Sequence, residues 1–166
     1  MEQVGGFDES FTIAWREDSD LEFKLLLQGI QVHKLAAALV VHPVRQAPWG
    51  VSMKEQKKGL FNALLYKKYP VLYRKRIQQR PAVNYYVMIL CTLLVITGFM
   101  VKILWISGVA AGIWLFLTVQ FIRKRLAATS RTGRHIWEIA ITSLAIPFLS
   151  VYWQLYGAYK YRVFFI

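Results

Sequence analysis

The chain has 166 residues, 56% of them hydrophobic, and its 21 Lys and Arg against 9 Asp and Glu leave a net charge of +12. So apolar a basic chain points to a membrane surface before nucleic acid, and it carries no recognition helix, RNP motif or zinc spacing to argue otherwise. One cysteine, Cys91 inside an apolar run, excludes an internal disulfide framework, and the length allows one modest domain plus an appendage. The opening MEQVGGFDES lacks the basic and then hydrophobic pattern of a signal peptide.

The first legible element lies within residues 5–29, GGFDESFTIAWREDSDLEFKLLLQG. Gly5-Gly6 is too short for a phosphate cradle and reads as a turn with a positive φ at one or the other glycine. Residues 11–17 (FTIAWRE) read as an extended approach to a helix. Ser19 as N-cap and Glu22 three residues on form an S-x-x-E capping box. Leu21, Leu25 and Leu26 make the apolar stripe, and Gly29 supplies a left-handed stop. Glu17 and Asp18 then stand just outside the first turn, near the positive end of the helix dipole, where an ionised carboxylate is favoured. Taken alone, such an acidic run is an anionic helix cap.

Those residues also carry a resemblance. GGFDE, about ten residues before an R-E-D-x-D-L turn that opens a helix ending in Gly, resembles the acceptor-side half of family 2 glycosyltransferases. The resemblance implies an α/β fold: a partial GT-A (nucleotide-diphospho-sugar transferase) unit followed by a helical membrane domain. It implies Asp18 as the general base, Glu17 as its motif partner and Asp20 as the following, acceptor-side acid. An inverting displacement needs one carboxylate within hydrogen-bond reach of the attacking hydroxyl. The strands that hold a nucleotide sugar and the D-x-D motif that holds its metal are missing, so Met1 is read as an internal position of a longer enzyme. Mg or Mn is expected for the complete enzyme only.

Farther along, IQVHKL and AAALVVH read as a short strand or bend and then a buried strand. His42 and Pro43 end the second, and RQAPWG is a loop. The resemblance makes His42 a metal candidate, although a lone His at a strand end is commonly a hydrogen-bonded structural residue. Trp49 is an acceptor-stacking candidate that would equally suit a membrane interface. His33 and His135 have no partners at ligand spacing.

Residues 51–80 read as basic helices interrupted at Pro70, with Leu60, Leu64 and Leu65 on the apolar face, and they suit an anionic membrane surface. Residues 83–101 and 103–122 are apolar spans joined by little more than Lys102, hence a tight helical hairpin. Arg74, Lys75, Arg76 and Arg80 precede it; Arg123, Lys124, Arg125, Arg131 and Arg134 follow. Both flanks therefore belong on the cytoplasmic side, and the N-terminal part with them. Residues 136–156 are a third apolar segment, either a crossing or, broken at Pro147, a membrane-dipping helix followed by an aromatic interfacial one.

The expected organisation is thus an acceptor-side GT-A part over 1–50, interfacial helices over 51–80 and a membrane domain over 81–166. The implied function is that of a C-terminal fragment of an inverting glycosyltransferase, inactive alone, whose complete form takes a nucleotide sugar and a lipid-linked or cell-surface glycan acceptor. The alternatives are a non-catalytic membrane subunit that pairs with a separate donor-binding chain, and a polytopic scaffold. Membrane lipids are expected partners in every case.

Overall fold

A computed structural model describes residues 4–33, 35, 37–41, 47–127, 129 and 132–165. Helix α1 (Glu17–Leu27) is followed by the short α2 (Val51–Lys54), a 3-10 turn (Glu55–Gly59), α3 (Leu60–Lys68) and α4 (Pro70–Arg76). Three long helices complete the chain: α5 (Val83–Met100), α6 (Leu104–Ala127) and α7 (Gly133–Lys160). No strand occurs among the described residues. The expected α/β, partial GT-A fold is therefore corrected to an all-helical one. A β run needs a neighbouring strand to take its backbone N–H and C=O groups. The run expected to be a buried strand instead lies open, with Leu39 86% and Val41 81% exposed.

One compact unit comprises the described parts of 1–48, 58–79 and 154–166. Its core is α3, whose Leu60, Phe61, Ala63, Leu64 and Leu65 are all buried. Burying a large apolar side chain contributes about 2 kcal/mol, so a nine-residue helix that is marginal alone is held by packing. Around it the rings of Phe11 and Phe61, Phe23 and Tyr69, and Tyr66 and Tyr73 pair at 5.9, 5.6 and 5.6 Å. Phe165 closes the set against Tyr66 and Tyr73 at 5.1 and 5.4 Å. At Gly157 a Cβ would lie 2.8 Å from the Leu60 carbonyl oxygen, so glycine is what permits that approach.

Helix α1 starts three residues earlier than the capping box requires, at Glu17 rather than Asp20. Arg16 occupies the N-cap in the left-handed region (φ 76°) with no side-chain cap, and Ser19 is buried inside the first turn. The Arg16 side chain is anchored at the same time, its Nε donating to Asn62 Oδ1 at 2.8 Å, so a tertiary tie accompanies a conformation that non-glycine residues seldom adopt. The stop is as expected: Gly29 has φ 75° and Ile30 N–H donates to the Leu25 carbonyl at 3.0 Å, a Schellman closure. Gly5 and Gly6 both take positive φ.

The second unit comprises 49–57 and the described part of 80–153. Helices α5 and α6 form a hairpin turned at 101–103, where Lys102 takes φ 61° and Ile103 N–H donates to the Gly98 carbonyl at 2.8 Å. Gly98 allows the close approach, since a Cβ there would lie 2.6 Å from Ser107 Oγ, and that hydroxyl donates to the Val95 carbonyl at 3.2 Å. Helices α5, α6 and α7 are long and apolar enough to cross a membrane, with mean hydropathies of 1.9, 1.7 and 1.4. The chain is a multi-pass membrane protein. Pro147 does not divide α7: the helix runs unbroken for 28 residues with Pro147 buried inside it. Prolines are tolerated in such helices when neighbours satisfy the freed backbone groups.

Candidate functional site

The acidic residues singled out in the sequence lie together on α1, in the first unit. Asp18 is exposed, and its Oδ1 accepts from the Ser19 backbone N–H at 2.7 Å. Glu17 is half-buried, with Oε2 enclosed and lacking a hydrogen-bond partner. Asp20 is fully buried. The Lys68 ammonium donates to Asp20 Oδ1 and to Asp8 Oδ2, and Lys24 stands 3.0 Å from Asp20 Oδ2 as an ion pair without hydrogen-bond alignment. Two cations thus hold one buried carboxylate between α1 and α3. The Lys68 hydrogen bond and those from Ser10 hold the Asp8 carboxyl well below the usual range. Burial works against the Lys68 ammonium, but Asp20 and Asp8 outweigh it and raise its pKa. Burial pushes the Tyr73 hydroxyl up to about 12. Trp49 is 51% exposed and belongs to the second unit. His42 lies outside the described residues.

The second unit contains a polar centre that the sequence reading passed over as part of a basic flank. Arg125, near the end of α6, donates through Nη1 to Thr142 Oγ1 at 2.9 Å, Ser143 Oγ at 2.7 Å and the Ile139 carbonyl at 3.3 Å. Its Nη2 donates to Ser52 Oγ at 2.9 Å. Glu138 Oε1 accepts from the Gly50 backbone N–H at 2.7 Å, and Oε2 lies 3.5 Å from His135 Nδ1. A cavity of about 270 Å³ opens among Ser52, Arg125, Thr129, His135 and Glu138. An arginine in a spanning helix is expected to turn inward and find carbonyls and hydroxyls. The available signal was Thr142-Ser143, a polar pair inside an apolar run.

Beside it a larger cleft of about 430 Å³ separates the start of α5 from the end of α6. Its floor is Met88, Leu117 and Phe121, with Tyr85 edge-on to Phe121 at 5.4 Å. Asn84, Gln120 and Lys124 stand among its lining residues and are exposed, and no lining residue is acidic. An apolar floor under a cationic, hydrogen-bonding mouth at the end of a spanning hairpin matches a phospholipid, whose phosphate is anionic and whose chains are not.

No protein-family model, characterised protein or solved structure matches the chain. With no sheet among the described residues, nothing there hosts a nucleotide-sugar site. The glycosyltransferase resemblance, the fragment function drawn from it, and the nucleotide-sugar, glycan-acceptor and donor-chain partners are corrected accordingly. Among the described residues no three His, Cys, Asp or Glu side chains come together to hold a metal ion.

Proposed function

We propose that this chain is a multi-pass membrane module that holds anionic phospholipid at the basic end of its α5–α6 hairpin, with its N-terminal part on the cytoplasmic side. The observation that carries the reading is the α5–α6 cleft, with Lys124 at an otherwise neutral mouth above an apolar floor. The charge asymmetry of the hairpin supports the orientation. Arg80, Arg123, Lys124, Arg125, Arg131 and Arg134 flank its open end, whereas Lys102 alone marks the turn. The basic helices of 51–80 extend the same surface chemistry along the chain.

The test is lipid retention by the purified full chain in detergent, read by native mass spectrometry with phosphatidylglycerol or phosphatidylcholine added. One cation facing a phosphate near an anionic surface contributes about 1 kcal/mol, or about fivefold in affinity. Lys124→Gln is expected to lower phosphatidylglycerol retention about fivefold, with Lys102→Gln unchanged. Equal retention of the two lipids, or equal loss in both variants, overturns the reading.

A further inference from the structure

Helix α7 satisfies the length and composition of a membrane crossing, yet the connectivity of the chain argues against one. Helix α4 ends at Arg76 and α5 begins at Val83. The linker IQQRPA is too short and polar to cross a bilayer, so α3 and α4 lie on the side from which α5 departs. The α5–α6 hairpin returns the chain to that side. Helix α6 ends at Ala127 and α7 begins at Gly133, so α7 starts there too. Its far end is fixed by contacts within the first unit: Gly157 abuts Leu60 of α3, and Phe165 packs on Tyr66 of α3 and Tyr73 of α4. A helix that starts and finishes on one side of a membrane has not crossed it.

Two further observations agree. A charged segment accompanies α7 in the second unit: Gly50 N–H donates to Glu138, and Lys57 stands 5.8 Å from the Trp153 ring centroid. That segment also contains Lys54 and Glu55, residues that would be costly in hydrocarbon. The exposed apolar side chains of α7 include a stripe at helical spacing, Trp137, Ile141, Leu144, Phe148, Tyr152 and Tyr159, as an amphipathic interfacial helix would present.

We propose that α7 is a monotopic helix embedded in one leaflet, its apolar stripe docked on the acyl chains just beneath the headgroups, so that the chain crosses the membrane twice rather than three times. Phe148, at the middle of the stripe, shares an apolar recess with Thr92, Val95, Ile96, Ala111 and Trp114 of the hairpin. At about 1.5 Å per residue a 28-residue helix is about 42 Å long, well beyond a hydrocarbon core of about 30 Å.

The experiment is cysteine accessibility in sealed vesicles of known orientation, using the full chain with Cys91→Ser and one added cysteine at the exposed positions Lys102, Arg134, Lys160 or Phe164. A membrane-impermeant maleimide is applied before and after permeabilisation. The expected result is that Arg134→Cys, Lys160→Cys and Phe164→Cys label from one side and Lys102→Cys from the other. Labelling of Lys160→Cys and Phe164→Cys together with Lys102→Cys means that α7 crosses, and overturns the proposal. This outcome is independent of which lipid the α5–α6 cleft retains.

Discussion

At the scale of single residues, the buried carboxylate of Asp20 shows how far identity and role separate. Its neutralisation by Asp20→Asn leaves Lys68 with Asp8 alone and Lys24 with no partner on that oxygen. Breaking a fully buried pair costs 3–5 kcal/mol, roughly; here Lys68 is 25% exposed and solvent recovers part of that. A loss of about 2 kcal/mol is expected, read as a lowered melting temperature in detergent. The pH dependence follows from the same cluster. Asp8 has a depressed pKa, so its contribution is present above the ordinary carboxylate value of about 3.9 and disappears as pH falls through the lower folded value. Lys68 has a raised pKa, so its contribution is complete below about 10.4 and is lost as pH rises through the higher folded value. Stability from this cluster should be flat between about pH 5 and 9, and Asp8→Asn should flatten the acid limb of a melting-temperature profile. A second expectation concerns Arg125: Arg125→Leu, which strands the acceptors gathered around it, should cost about 3 kcal/mol, with Arg125→Lys intermediate. That Asp20 is acidic and at a helix start was legible. Its sequestration by Lys68, 48 residues away, was not, because helix periodicity reports which residues share a face and not what packs on that face.

At the scale of elements, two glycines separate soft from hard contacts. Gly98→Ala places a methyl against Ser107 Oγ, a side chain that can rotate, whereas Gly157→Ala places one 2.8 Å from the Leu60 backbone oxygen. Overpacking typically costs 1–3 kcal/mol, roughly. Gly157→Ala is expected near the top of that range and Gly98→Ala near the bottom, compared by thermal unfolding of the two variants. The apolar spans, the hairpin turn at Lys102 and the interruption at Pro70 were readable, since length, hydropathy and a missing backbone donor are local properties. Two expectations, and one of the two alternatives held open for α7, failed for non-local reasons. Ser19 lost the cap position because Arg16 is tied to Asn62. Pro147 lies inside an unbroken helix packed against its neighbours. The β-branched run ending at Val41 has no strand beside it.

At the scale of the whole molecule, a hairpin whose positive charge is gathered at its open end should sit in the bilayer in one orientation, and the basic helices of 51–80 should rest on the leaflet at that end. Vesicle-reconstituted protein should therefore resist trypsin at Arg74, Lys75 and Arg76 several-fold better in anionic than in zwitterionic lipid. The protection should fade as salt rises and the Debye length shortens from about 10 Å at 0.1 M to about 3 Å at 1 M. Equal cleavage rates in the two lipids would count against contact with the leaflet. What the sequence determined by itself is the membrane character, the α5–α6 hairpin and its basic flanks, because each follows from composition over a window no longer than one helix. Tertiary structure alone decided the absence of a sheet among the described residues, the burial of Asp20, the nest around Arg125 and the return of Phe165 to Tyr66 and Tyr73. Each of these joins residues distant in the chain, and the free energy of such contacts depends on which surfaces meet.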